Sequence, residues 1–129
     1  MSVTTLQISK NNPIKKINLY MVIILSDLPK ISLNKWYAGM HWTKRKQIKD
    51  AYTLIVKSQF KDVLPASNSY DTEYHFTFKS RPLDASNCVA MVKMIEDIIF
   101  ENDGYKIIKS ILITSGKGVN DQVIITINS

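Results

Sequence analysis

Apolar and polar residues alternate most regularly in residues 70–80, YDTEYHFTFKS. A period of two is typical of a strand with one buried face. Residues 16–25, KINLYMVIIL, are rich in β-branched and aromatic residues and end at a Ser-Asp-Leu-Pro turn, so they predict a buried strand. Two more strands are predicted at residues 106–115 and 122–128, with residues 116–121 as a hairpin-like connection between them.

Two segments between these strands carry apolar residues at the spacing of an α-helix. The first covers residues 43–64, with Thr43 as its N-cap and Pro65 as its stop signal. Its apolar positions are Ile48, Tyr52, Ile55, Val56 and Phe60. The second begins with Asp84 as its cap and runs to about Phe100. Its apolar face holds Cys88, Met91, Val92, Ile95, Ile98 and Ile99, and its other side holds Lys93, Glu96 and Asp97.

The element order is therefore β-α-β-α-β-β, which predicts a single-domain α+β fold whose mixed sheet packs against two helices. The length of 129 residues suits one domain, and 45% apolar residues are typical of a folded globular protein. Residues 14–129 are expected to form this domain. Residues 1–13 are polar and predict either a flexible arm or an added edge segment. Residues 30–42 predict an irregular loop.

Neither a membrane nor a nucleotide cofactor is expected. The apolar run at residues 19–25 has seven residues, far short of the roughly 20 that a membrane span needs. Residues 116–118, GKG, lack the rest of a phosphate-binding loop. The single cysteine, Cys88, has no internal disulfide partner and lies in a periodic apolar segment. It therefore predicts a buried thiol in a reducing intracellular compartment.

Positive charge exceeds negative charge, with 17 Lys and Arg against 11 Asp and Glu and a pI near 9.4. Such a balance favours a polyanionic partner such as nucleic acid. Four basic residues at the start of the first helix form either phosphate contacts or a solvated face: Lys44, Arg45, Lys46 and Lys49. Arg81 is either a phosphate clamp or the partner of a nearby carboxylate. Three aromatic residues before this helix are either lids over the core or surfaces for base stacking: Trp36, Tyr37 and Trp42.

Five of the eleven carboxylates fall within residues 81–104, around the second helix. Clustered Asp and Glu side chains hold Mg²⁺ through hard oxygen ligands, and such sites promote phosphodiester hydrolysis. Asp84 and Asp103 can share one ion only if the turn folds back or if another chain supplies one of them. Ordinary structural roles also account for these residues: an N-cap at Asp84, an i,i+4 pair of Lys93 and Asp97, and a turn at residues 102–104.

The order of residues in two regions resembles the RusA-like family of Holliday junction resolvases. Residues 83–108, LDASNCVAMVKMIEDIIFENDGYKII, are similar to the family's Asp and Asn before a helix, its Lys and Asp along that helix, and its acidic turn. Residues 28–52 are similar to its early loop and basic helix, and the resemblance covers residues 28–127. It implies the family's fold and an endonuclease that uses Mg²⁺, or Mn²⁺, on branched DNA. It also implies a homodimer, whose two-fold symmetry suits a four-way junction.

The resemblance also assigns roles to single residues. Asp84 and Asp103 correspond to metal ligands, and Lys93 corresponds to the lysine that stabilises charge on the scissile phosphate. Asp97 corresponds to an acidic position that orients this lysine or adds to the field at the metal. Asn87 corresponds to the family's Asn. The residues expected to contact DNA are Lys44, Arg45, Lys46, Lys49, Arg81 and Asn87.

Ser86 stands where the family pattern has a second Asp. A neutral hydroxyl is a poorer Mg²⁺ ligand than a carboxylate. Three functions therefore stay open. One is a phage or prophage resolvase that works in a bacterial cytoplasm. Another is a module that keeps the fold and the basic face but binds DNA, or a host defence protein, without cleavage. The third is a generic basic α+β domain that does not bind nucleic acid.

Overall fold

A computed structural model describes residues 4–8 and 19–129 as an α+β fold. The strands are β1 (Thr4–Ile8), β2 (Leu19–Ser26), β3 (Tyr70–Phe78), β4 (Ile108–Lys117) and β5 (Gln122–Asn128). The helices are α1 (Leu33–Tyr37), α2 (Trp42–Gln59) and α3 (Val89–Ile99), and a 3₁₀ turn at Ala85–Cys88 leads into α3. Among the described residues, no helix is both long enough and apolar enough to cross a membrane.

The five strands form one mixed sheet in the order β1-β2-β5-β3-β4. Only β3 and β4 pair in parallel, and the other neighbours are antiparallel. Parallel neighbours need a crossover connection, and α3 supplies it. The prediction of a hairpin at residues 116–121 was wrong, because β3 lies between β4 and β5 in the sheet. Because β3 and β4 run parallel, both strands begin at the same end of the sheet, with Tyr70 next to Ile108.

The N-terminal segment contributes an edge strand. Within the expected arm, β1 pairs antiparallel with β2, with Thr4 opposite Ile23 and Ile8 opposite Leu19. The rest of that arm, residues 1–3 and 9–13, lies outside the described residues, as do residues 16–18 at the start of the predicted strand 16–25.

The core lies between the sheet and helices α2 and α3. In β3 every second residue is buried, which confirms the alternation predicted for residues 70–80. From α2 come Ile48, Tyr52 and Val56, and α3 adds seven buried residues in eleven. The Tyr52 hydroxyl donates to the carbonyl oxygen of Pro29, so the largest core side chain of α2 also fixes the loop after β2. Burial of each large apolar side chain stabilises the fold by roughly 1.5–3 kcal/mol.

Three local predictions around α2 need correction. Residues 30–42 contain the helix α1, which begins because the Ser32 hydroxyl accepts a hydrogen bond from the Lys35 N–H at 3.1 Å. The N-cap of α2 is His41 and not Thr43, since His41 Nδ1 accepts from the Thr43 N–H at 3.2 Å. The helix ends at Gln59 and not at residue 64, because Phe60 turns into extended backbone and into the core.

Candidate nucleic-acid interface

The basic residues of α2 lie on an exposed helix surface. Lys44, Lys46 and Lys49 are exposed, and Arg45 is half-buried. Lys46 pairs with Asp50 one turn later at 2.9 Å. Among the residues that the structure describes, Lys44, Arg45 and Lys49 have no carboxylate oxygen within 4 Å. Three positive charges of α2 are therefore available to an anionic partner.

The aromatic residues of α1 hold part of this positive charge in place. The Arg45 guanidinium lies 5.4 Å from the ring centre of Trp36, and Lys49 Nζ lies 5.9 Å from the same ring. Arg45 also donates to the Trp36 carbonyl oxygen at 2.6 Å and lies 6.0 Å from the Tyr37 ring. Such cation–π contacts are each worth about 0.5–1 kcal/mol at an exposed site. They place both cations next to the same ring. The Tyr37 ring is 70% exposed.

A second basic pocket lies around Asp84, in front of the 3₁₀ turn. It measures about 300 Å³, and its lining residues are Lys30, Arg81, Pro82, Leu83, Asp84 and Asn87. Lys30 Nζ donates to the Arg81 carbonyl oxygen at 2.7 Å, which holds the ammonium at the rim. Asn87 Oδ1 accepts from the Asn34 N–H of α1 at 3.3 Å. The helix α1 therefore links this pocket to the cations of α2.

The carboxylate of Asp84 does not cap the helix, contrary to the sequence-based expectation. Only its backbone carbonyl takes part, accepting from the Asn87 N–H at 2.9 Å and the Cys88 N–H at 3.2 Å. In the described part of the chain, its side chain forms no capping hydrogen bond, and it faces the pocket lined by Lys30 and Arg81.

Lys93 lies in a compact acidic cluster on the outer side of α3. Its Nζ donates to Asp103 Oδ2 at 2.9 Å and to Glu96 Oε1 at 3.4 Å. Among the described residues it is paired with these two carboxylates, so the predicted i,i+4 pair with Asp97 does not form. The hydrogen bond with Asp103 raises the pKa of Lys93, and the same bond lowers the pKa of Asp103. Burial raises the pKa of Asp97. The turn after α3 therefore does fold back, but onto Lys93.

Glu96 belongs to the buried face of α3, and its predicted place on the outer face was wrong. The residue is 2% exposed. Spacing carries the signal that was missed, because Val92, Glu96 and Ile99 are four and three residues apart and share one helix face. In the described structure Glu96 Oε2 has no hydrogen-bond partner, nor has the buried hydroxyl of Tyr74. Burial raises the pKa of both groups, and that of Tyr74 lies well above its usual value.

The predicted metal ligands have different surroundings. Asp84 faces the pocket lined by Lys30 and Arg81, whereas Asp103 follows α3 and its carboxylate accepts a hydrogen bond from Lys93. Two oxygens bound to the same Mg²⁺ each lie about 2.1 Å from it, so they are at most about 4 Å apart. In the described structure, the hydrogen bonds and ion pairs of the Asp103 side chain join it to Lys93, and none joins it to Asp84. The assignment of these two residues to one metal site stays a prediction.

The acidic cluster also fits a metal poorly by itself. Across residues 4–8 and 19–129, no group of three His, Cys, Asp or Glu side chains is arranged to hold a metal ion. Lys93 already takes one carboxylate oxygen of Asp103 and one of Glu96. Ser86 adds no charge. The exposed cations of α2 suit the binding of an anion better than this cluster suits a metal.

Comparison with known proteins found no similar protein. No protein-family model matches this chain, and no curated protein or solved structure matches it.

Proposed function

We propose that this protein binds DNA, branched DNA in particular, through a surface formed by α1, the start of α2 and the pocket around Asp84. We call this surface the basic face and define it by Lys44, Arg45, Lys46, Lys49, Arg81 and Asn87. The observation that carries the proposal is the contact of Arg45 and Lys49 with the Trp36 ring, with no carboxylate of the described residues within 4 Å of either cation. Cations held in this way displace counterions from a phosphate backbone.

The non-cleaving DNA-binding module is the better supported form of this proposal. Cleavage by a metal-dependent nuclease needs carboxylates that converge on one ion, and the described residues contain no group of three His, Cys, Asp or Glu side chains arranged to hold one. Ser86 further reduces the negative charge next to Asp84. The basic face does not depend on this metal site, so the loss of cleavage would leave DNA binding in place.

A Mg²⁺-dependent resolvase of the RusA type is the second candidate. The hydrogen bond between Lys93 and Asp103 favours it, because a carboxylate and a lysine close to a DNA-binding surface are groups that phosphodiester cleavage uses. In this form the metal ligands Asp84 and Asp103 come either from one chain or from the two subunits of a homodimer. A homodimer belongs to this proposal, with the cytoplasm of a phage-infected or prophage-carrying bacterium as its setting.

The basic face is tested by binding to a labelled four-way junction. We expect the charge reversals Arg45→Glu and Lys49→Glu to weaken junction binding at least tenfold each, because each adds a repulsive charge where a phosphate lies. The matched control is Lys109→Glu, which makes the same change at an exposed position of β4. Equal losses in all three variants would show that net charge, and not the basic face, determines binding.

Cleavage of the same junction in Mg²⁺ and in Mn²⁺ separates the two forms. The binding module predicts no product in either metal. Product that disappears in Asp84→Asn and in Asp103→Asn would establish the resolvase instead. A mixture of these two variants that regains activity would show that the site is shared between subunits.

A further inference from the structure

A cleft between α1 and α3 opens beside the basic face. Its volume is about 190 Å³, and its lining includes Leu33, Trp36, Tyr37, Ala90, Lys93 and Asp97. Ala90 and Met94 of α3 form a buried floor with Val89, and Leu33 closes the α1 side. Tyr37 stands at the mouth with most of its ring in solvent. This α1–α3 cleft is not part of the sheet core.

The lining of the cleft combines three kinds of group. Its floor is apolar, and its wall contains the rings of Trp36 and Tyr37. Lys49 and Lys93 provide positive charge at its edges. Asp97 contributes a carboxylate that can accept hydrogen bonds from a bound group. A flat aromatic ligand would contact the apolar floor and the rings. Its N–H donors would bind the Asp97 carboxylate, and negative charge next to it would pair with the lysines.

The size of the cleft limits the ligand to one ring system. Pockets that enclose drug-sized ligands measure roughly 300–1,000 Å³, so a cleft of about 190 Å³ is too small for a whole nucleotide. It suits a base whose sugar and phosphates stay outside. The phosphates would then lie near Lys49 and the cations of α2.

We propose that the α1–α3 cleft takes one unpaired base of the bound DNA. The base stacks on Tyr37 against the wall formed by Trp36, and its exocyclic amino group donates to the Asp97 carboxylate. Carboxylates accept from the cytosine amino group in base recognition, so a cytosine fits better than a thymine, which has no amino group. This inference rests on the proposed DNA binding and names the DNA feature that the protein prefers.

A paired base cannot enter the cleft, because its edge and both faces are occupied in the duplex. A branch point or a bulge leaves a base free, so the cleft explains why branched DNA would bind more tightly than linear duplex. Stacking of a base on an aromatic side chain corresponds to roughly 5- to 150-fold in affinity.

The experiment compares three DNAs of the same sequence: a fully paired duplex, a duplex with one extra cytosine, and a duplex with an abasic residue in that bulge. Fluorescence anisotropy at one salt concentration measures each affinity. We expect the bulged cytosine to bind at least fivefold more tightly than the other two. A thymine bulge should lose part of this preference, and Asp97→Asn should reduce the difference between cytosine and thymine.

Variants assign the preference to the cleft. Tyr37→Ala should lower the ratio of bulge affinity to duplex affinity to about 1, whereas Tyr37→Phe should keep the ratio of the wild type. The ratio is used because Tyr37 also contacts Arg45, so any loss of basic-face affinity affects both DNAs alike. The matched control is Tyr105→Ala, which removes a tyrosine ring that is 81% exposed in the turn before β4. Because both tyrosines are exposed, neither variant should affect folding.

The outcomes distinguish this inference from the proposed function. Salt-sensitive binding of all three DNAs with equal affinity would overturn the base site and leave the basic face intact. A preference for the bulge that Tyr37→Ala does not change would show that bending, and not base insertion, is recognised, and would also overturn it. No binding of any of the three DNAs would overturn both.

Discussion

Replacement of Glu96 by glutamine tests the electrostatics at the buried end of the acidic cluster. Glu96 is 2% exposed, and in the described structure its Oε2 atom lacks a hydrogen-bond partner. An unpartnered buried polar atom costs about 1–3 kcal/mol, and an ionised one costs more. The 3.4 Å contact with Lys93 offsets little of this, because the lysine side chain is 56% exposed and screened pairs contribute about 0–1 kcal/mol.

The net expectation is that Glu96→Gln stabilises the fold at pH 8 by about 1 kcal/mol, because glutamine keeps the shape without the charge. For a domain of this size that corresponds to a rise of roughly 4 °C in Tm. The assay is thermal unfolding followed by circular dichroism. Asp62→Asn is the control, since it removes an exposed carboxylate and should leave Tm unchanged.

The pH dependence of this effect gives an independent check. Burial raises the pKa of Glu96 above its ordinary value near 4.5, so the folded state binds the proton more tightly than the unfolded state. The stabilisation that the protonated Glu96 side chain contributes is therefore present below pH 4.5 and is lost as the pH rises through the raised pKa. The gain from glutamine should vanish near pH 4. A lower Tm at pH 8, or an equal gain at both pH values, would refute the reasoning.

Three further predictions concern other parts of the fold. Asp103→Asn should cost about 0–1 kcal/mol at pH 7, because its partly exposed pair with a lysine is lost. Since this pair lowers the pKa of Asp103, the loss of stability in Asp103→Asn should shrink as the pH falls through that pKa. Unfolding of the variant and the wild type at pH 7 and at pH 3 measures this loss at each pH. Gly118→Ala should destabilise the fold by about 1–3 kcal/mol, because a Cβ there would lie 2.9 Å from the Thr77 Cβ. The control Gly116→Ala places its Cβ where no described atom lies within 4 Å, so its free energy of unfolding in chemical denaturation should equal that of the wild type. Cys88 should resist a thiol reagent until the protein unfolds, since it is buried and burial raises its pKa; rapid labelling of the native protein would contradict this.

Local patterns predicted the parts of the fold that local physics determines. The alternation in β3 and the apolar face of α3 follow from side-chain burial, so they can be read from residue spacing. The order of strands cannot be read in this way. β4 and β5 are separated by only four residues and resemble a hairpin, yet β4 pairs in parallel with β3 because α3 carries the chain back along the sheet.

The candidate site was predictable in its residue types but not in its geometry. The positive charge of α2 follows from composition, and its contact with Trp36 depends on α1, a five-residue helix inside a predicted loop. Asp84 and Asp103 flank the predicted helix in sequence, so their spacing alone was a weak indication of a shared site. The turn after α3 folds back onto Lys93, and this contact is not specified by the spacing.

The salt dependence of binding to a four-way junction tests the central claim most directly. Wild-type protein and the double variant Arg45→Ala plus Lys49→Ala are titrated from low to physiological salt, with Lys109→Ala as control. If the two cations contact phosphates, the slope of log affinity against log salt should fall in magnitude by about 2 in the double variant and stay unchanged in the control. An unchanged slope in the double variant, or no salt-dependent binding by the wild type, would contradict the account.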